Sequence, residues 1–140
     1  LSLTTEAPSS LNAVANAAAL RQILTNLISN AIKYNRDHGT VRIACEAVDD
    51  KVVLSVIDTG PGIRKEELQS VFNKFYRARG SEGISGSGLG LYIAKLLAEA
   101  MGGSISVISS FGEGSTFSLY LERPVAGKTN DIDISEESIP

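Results

Sequence analysis

The apolar residues of this chain switch between two periods, and the order of the switches leaves few folds open. From Leu20 they fall at Leu20, Ile23, Leu24, Leu27, Ile28, Ala31 and Ile32, the spacing of a helix with one buried face. Beyond the polar loop Asn35 to Gly39 the period drops to two, in stretches of about Thr40 to Val48 and Lys51 to Asp58 joined across Asp49-Asp50 as a hairpin. A second helical pattern runs through Ile93, Leu97 and Met101 and stops at Gly102-Gly103. Two more alternating stretches, Ser104 to Ser110 and Ser115 to Leu121, follow across Phe111-Gly112-Glu113-Gly114, and Leu1 to Glu6 alternates weakly, as an edge strand would. Two hairpins separated by helices, with one apolar face each, predict an α+β fold: a two-layer α/β sandwich whose mixed sheet carries helices on one face.

Length and charge narrow the class further. At 140 residues the chain suits one domain with a single core, and its 43% hydrophobic and 21% charged residues are those of a globular protein in water. The net charge of −3 comes from the end: Asp131, Asp133, Glu136 and Glu137 face only Lys128, and the chain before Pro124 carries 12 charges of each sign. We expect a domain over 1–123 and an acidic linker or tail over 124–140, in which Ile132 and Ile134 could pair with a strand edge. No excess of positive charge points to nucleic acid or to an anionic membrane. No stretch approaches the ~18 apolar residues that cross a bilayer, and no signal peptide opens the chain. It begins at Leu1 rather than methionine, as a segment of a longer protein would. Cys45 is the single cysteine and alternates with Val41 and Ile43, so it reads as a buried apolar residue. His38, the single histidine, lies in a polar loop without a carboxylate partner and reads as an ordinary loop residue.

Candidate chemistry lies where the elements end. Val52 to Ile57 form a β-rich apolar run that stops at Asp58-Thr59-Gly60-Pro61-Gly62. A strand that delivers one carboxylate into a glycine-bounded turn leaves room for a flat ligand against the backbone. Asp also starts Pro-Gly turns by bonding its own backbone, and this stretch alone does not separate the two readings. On the first helix Gln22, Asn26, Asn30 and Lys33 lie near the side opposite the apolar stripe, with Tyr34 at the flank. Asn costs roughly 0.6 kcal/mol against Ala in a helix interior, so two of them one turn apart point to a site.

Arg64 to Ser70 predicts a short helix, and in VFNKFYRAR the residues Phe72, Phe75 and Tyr76 fall at i, i+3, i+4 as an anchor for the next segment. That segment holds Gly80, Gly83, Gly86, Gly88 and Gly90 and reads as a long mobile lid or binding loop. Its end, GSGLGL from Gly86 to Leu91, opens the second helix and leaves N–H groups free at the positive end of the helix dipole. That suits phosphate, although a flexible connector would look similar. The spacing fits neither a dinucleotide fingerprint, which needs glycine at Leu91, nor a P-loop, which needs Gly-Lys-Ser/Thr.

In this order the stretches resemble the ATP-binding catalytic domain of bacterial sensor histidine kinases, from about Leu20 to Leu121. LRQILTNLISNAIKYN is similar to the family's N box, DTGPGI to its first glycine box, VFNKFYR to its F box and GSGLGL to its second glycine box, followed by a final Gly-x-Gly. The resemblance implies ATP and Mg²⁺ as cofactors and a mobile ATP lid. It implies Asn30 as the side-chain Mg²⁺ ligand, with Asn26 and Lys33 facing the phosphates and Tyr34 the nucleotide's edge. Asp58 would accept a hydrogen bond from the adenine amino group while Gly60 and Gly62 admit the base. Arg77 would reach the γ-phosphate once the lid closes, Gly86, Ser87, Gly88, Leu89 and Gly90 would cradle the phosphates, and Thr116 would support adenine. Asn16 departs from the Asp often found before this helix, a difference that touches capping rather than chemistry.

The activity so implied is phosphoryl transfer from ATP to a histidine on a separate dimerisation domain, with a response regulator downstream. Neither that domain nor a nucleophile in His38 is found in this sequence, so the chain is expected to be a monomeric, cytoplasmic part of a kinase, whether or not the parent protein is membrane-anchored. The alternatives are a hydrolytic ATPase, similar to gyrase B subunits, mismatch-repair ATPases or heat-shock chaperones, and a nucleotide-sensing module without transfer. Against the first stands Asn26, where those enzymes carry a glutamate that activates water.

Overall fold

The structure, a computed structural model, describes residues 2–6, 12–77, 88–123 and 131–133. Strands β1 (Ser2–Glu6), β3 (Thr40–Val48), β4 (Lys51–Asp58), β5 (Ser104–Ser110) and β6 (Gly114–Glu122) form one sheet in the order β1-β3-β4-β6-β5. β1 runs parallel to β3 and every other pairing is antiparallel, so the sheet is mixed, as expected. A short strand β2 (Asn12–Val14) makes a separate antiparallel pair with β7 (Asp131–Asp133). Ile132 of the acidic stretch, one of the two residues expected to be able to pair with a strand edge, thus stands opposite Ala13.

Helix α1 (Ala17–Lys33) starts where the Asn16 side chain accepts from the Ala19 N–H at 3.0 Å, which satisfies one of the free amide donors of the first turn. Its buried residues are Leu20, Ile23, Leu24, Leu27, Ile28 and Ala31, most of the stripe read from the sequence; Ile32 stays 45% exposed. They meet Val41, Ile43 and Cys45 of β3, Val52, Leu54 and Val56 of β4, and Phe117, Leu119 and Leu121 of β6, every second residue of each strand. Helix α2 (Gly90–Ala100) packs beside α1 through Ala94 and Ala98. Ile93, Leu97 and Met101, expected to carry that face, are only partly buried, with Leu97 and Met101 packed against the edge of the core.

Cys45 lies in this core, and burial, with a smaller push from Glu46, raises its thiol pKa to about 11. The opposite face of the sheet is mixed, with Val53, Ile57 and Ile108 beside polar residues and the Ser55 and Ser118 hydroxyls 3.0 Å apart. The helix expected at Arg64 to Ser70 is a 3₁₀ segment, Lys65–Ser70. After it Phe72 meets Phe117 edge to face, with ring centroids 6.0 Å apart. Tyr76 also packs on the core, but Phe75 is 63% exposed. The three aromatics are not one helical anchor: Phe75 takes a left-handed φ of 65°, which turns it away from the other two.

Candidate functional site

β4 ends on Asp58, which pairs with Val41 on one side and Ser115 on the other and so belongs to the helix-covered side of the sheet. Its Oδ1 accepts from the Gly60 N–H at 2.9 Å, and the Ser115 N–H also supports the carboxylate. Burial raises its pKa above the ordinary 3.8, against the opposing pull of those two amides and of the Arg36 charge. Of the two readings left open by the sequence, the turn role is the one seen here: Asp58 caps its own turn, and its carboxylate is partly buried.

The turn after Asp58 is pressed against its neighbours so closely that two positions require glycine. A Cβ on Gly60 would lie 2.7 Å from the Tyr34 carbonyl oxygen, and one on Gly62, at φ 72°, would run into the Ser110 carbonyl. The turn between β5 and β6 answers in kind. Gly112 donates to the Pro61 carbonyl at 2.6 Å, and Gly114 abuts the Asp58 carbonyl. Ser109 Oγ accepts from the Ile63 N–H at 2.8 Å and stands 2.8 Å from both the Gly114 carbonyl oxygen and Ser115 Oγ. On the α1 side Asn35 donates to the Thr40 carbonyl at 2.9 Å and faces the Thr59 hydroxyl at 3.2 Å. Ser115, Ser109, Asn35 and Arg36 were not singled out by the sequence reading. Register sets Ser115 opposite Asp58 and Ser109 opposite Ser115, and the path of the α1–β3 loop brings in Asn35 and Arg36.

Thr116 is the correction. It pairs with Ile57, not Asp58, and so projects from the face of the sheet away from the carboxylate. Buried Ser115 occupies the place expected for it.

The other end of the site is where α1 meets α2. Asn26 Nδ2 donates to the Gly90 carbonyl at 3.0 Å, and its Oδ1 accepts from Gln22 Nε2 at 2.9 Å. The expected phosphate-facing amide is therefore engaged in holding the start of α2. That start has no side-chain cap among the described residues. Gly88 takes φ 75° and its carbonyl accepts from the Phe75 N–H at 3.0 Å, which joins the aromatic segment to the helix entry. Leu89 is the N-cap residue, and its carbonyl accepts from the Ile93 N–H. Gly86 and Ser87 lie outside the described residues, as do Gly80 and Gly83 of the expected lid.

Between these ends stands Asn30, half-buried and without a hydrogen-bond partner for its amide among the described residues. Lys33 is exposed, Tyr34 half-buried, and Arg77 exposed at the edge of the described segment. From Asn26 to Tyr34 the chain advances roughly 12 Å, so one face of α1 connects the Asp58 turn to a helix N-terminus that no side chain caps among the described residues. An uncharged amide oxygen lies between them. No group of three His, Cys, Asp or Glu is placed to hold a metal among the described residues. A hard cation that brings its own phosphate oxygens needs only one such protein ligand, and Asn30 fits that demand. No described helix is long and apolar enough to cross a membrane.

Residues 15–125 match the family model described as histidine kinase-, DNA gyrase B- and HSP90-like ATPase. Sensor protein SrrB of Staphylococcus aureus is 44% identical over 105 residues, which are 74% of this chain and 18% of SrrB, so the chain spans less than a fifth of that relative. Among solved structures, the mycobacterial sensor histidine kinase MprB superposes with a TM-score of 0.75 at 26% identity, over 89% of this chain and 83% of that one. The catalytic domain of histidine kinase ThkA gives 0.75 at 28% identity, over 87% and 80%. Full-length ShkA in complex with AMPPNP gives 0.75 at 32% identity, over 89% of this chain and 26% of that one. With the family model covering most of the chain, this protein belongs to the histidine kinase-, DNA gyrase B- and HSP90-like ATPases, as a catalytic ATP-binding domain of the sensor histidine kinase kind.

Proposed function

We propose that this domain binds Mg²⁺-ATP along the exposed face of α1 and presents the γ-phosphate to a histidine on a separate dimerisation domain, from which a response regulator is served. The observation that carries the reading is the juxtaposition of the Asp58 turn and the start of α2 at the two ends of that face. Asp58 accepts the adenine amino group through its ionised carboxylate, and Gly60 and Gly62 keep the turn flat enough for the base. Tyr34 borders the nucleotide's edge. Gly88, Leu89 and Gly90, with Gly86 and Ser87 before them, offer backbone amides to the phosphates at the positive end of the α2 dipole. Asn30 would hold Mg²⁺ through its amide oxygen, and Lys33 and Arg77 supply positive charge to the phosphates. The bound cation would neutralise charge on the transferring group, while the chain's own part is to position and to exclude competitors. The family match ends at 125, which supports a domain boundary near Arg123 and a tail beyond it. We place the domain in the cytoplasm and expect it to be monomeric alone.

A hydrolytic role is less well supported. The Asn26 amide is too weak a base to take a proton from water, and it is committed to Gln22 and Gly90. Incubation with radiolabelled ATP tests the proposal directly. The chain alone should stay unlabelled and turn over ATP slowly, and adding the parent kinase's dimerisation domain as a separate polypeptide should place acid-labile phosphate on that domain. Asn30→Ala should reduce this labelling at least tenfold while leaving the melting temperature within about 2 °C. Self-labelling, or fast hydrolysis without a partner, would reject the reading.

A further inference from the structure

Arg36 lies in the loop between α1 and β3, outside every motif that carries the family resemblance. Its guanidinium nonetheless closes the base end of the site. One terminal nitrogen donates to the Gly60 carbonyl at 2.8 Å and to the Gly112 carbonyl at 3.0 Å, and these belong to turns remote from each other in sequence. Apolar packing does little at this junction: Phe111, the large side chain of the β5–β6 turn, is 60% exposed, with the Arg64 guanidinium 4.5 Å above its ring. Polar contacts hold the two turns together: Ser109 Oγ takes the Ile63 N–H, the Gly112 N–H reaches the Pro61 carbonyl, and Arg36 is the side chain that binds a backbone carbonyl of each turn at once. A planar, permanently charged donor suits this work, since two carbonyl oxygens converge on it and neither can be satisfied by the other.

We propose that Arg36 is a positioning residue for the nucleotide base: it clamps the β5–β6 turn onto the Asp58–Gly62 turn and so fixes where the Asp58 carboxylate meets adenine. The proposal rests on the assignment of Asp58 to the base. Its charge adds a second effect of the same sign, because it favours the ionised form of Asp58 against burial. The phosphate end, built from α2 and Asn26, receives nothing from Arg36, so the two ends of the ligand should respond differently.

That difference is the test. Calorimetric titration with Mg²⁺-ATP and with Mg²⁺-tripolyphosphate, which lacks the base, separates them. Arg36→Met should weaken ATP binding about tenfold and leave tripolyphosphate binding within a factor of two, while exchange of the Gly112 amide proton speeds up. Arg36→Lys, which keeps the charge but reaches one carbonyl, should lose about threefold for ATP alone and serves if the Met variant does not fold. Unchanged ATP affinity in the folded variants, or an equal loss for both ligands, would overturn the clamp. Wild-type protein that binds tripolyphosphate no more weakly than ATP would instead remove the base assignment of Asp58, and the clamp with it.

Discussion

On the proposed reading Asp58 meets adenine in its charged form, in a place that disfavours charge, and this opposition gives it two pH dependences of opposite sign. Burial raises its folded-state pKa above the unfolded value of 3.8. The protonated form is thus favoured by folding, and the stability Asp58 contributes is full below the unfolded pKa and lost as pH rises through the folded one. Acceptance of an adenine amino group needs the charged form, so ATP affinity should fall as pH drops through that same raised value. Asp58→Asn separates the effects. The amide oxygen can still take the Gly60 and Ser115 N–H groups, while the amide nitrogen meets the adenine amino group donor to donor. We expect a melting temperature at pH 7 no lower than wild type and ATP binding ten- to hundredfold weaker, read by thermal denaturation and calorimetry. A variant that binds ATP normally, or that is clearly less stable, would contradict this account.

At the level of elements, glycines decide where backbone may approach backbone. Gly88 has φ 75°, and a Cβ there would come within 2.9 Å of the Phe75 Cα and of the Tyr76 carbonyl oxygen. Gly102, after α2, has a similar φ of 78° but nothing within 4 Å. Gly102→Ala should therefore cost only the backbone strain, about 1 kcal/mol. Gly88→Ala should cost about 2 kcal/mol or more, because neither contact is with a flexible side chain, and it should weaken tripolyphosphate binding, which Gly102→Ala should not. Denaturant unfolding and calorimetry of the two variants check the contrast. The same comparison marks what could be read in advance. Both helices and both hairpins were legible because periods of 3.6 and 2 leave separate signatures, and Asp58, Asn30 and the glycines stood out as residues ill-suited to their elements. Arg36 and Ser115 were not legible. An arginine in a polar loop and a serine in a strand look ordinary until register and loop path bring them to a carboxylate. Thr116 was misread for the same reason, since a shift of one residue along β6 changes the face. Phe75 followed helical spacing in a segment that is not helical.

Across the whole molecule, β4 occupies the centre of the sheet, and its two neighbours reach it on different schedules. β3 is its hairpin partner, whereas β6 returns only after the 3₁₀ segment, the glycine-rich stretch, α2 and β5. Loop-closure entropy favours the near partner first, so α1 and the β3–β4 hairpin can form while the far edge is still open. The base end, however, is assembled from both partners: Asp58 takes support from Ser115, and its turn is held by Ser109 and Gly112. During refolding from denaturant, the helical circular-dichroism signal should therefore recover before binding of a fluorescent ATP analogue. Simultaneous recovery would mean that the long-range pairing is already made when the helices appear. A nucleotide that recognises only the closed sheet adds its binding free energy to the final step alone. ATP thus acts on the folding path as a late lock, slowing the departure of β6 from β4 without hastening its arrival.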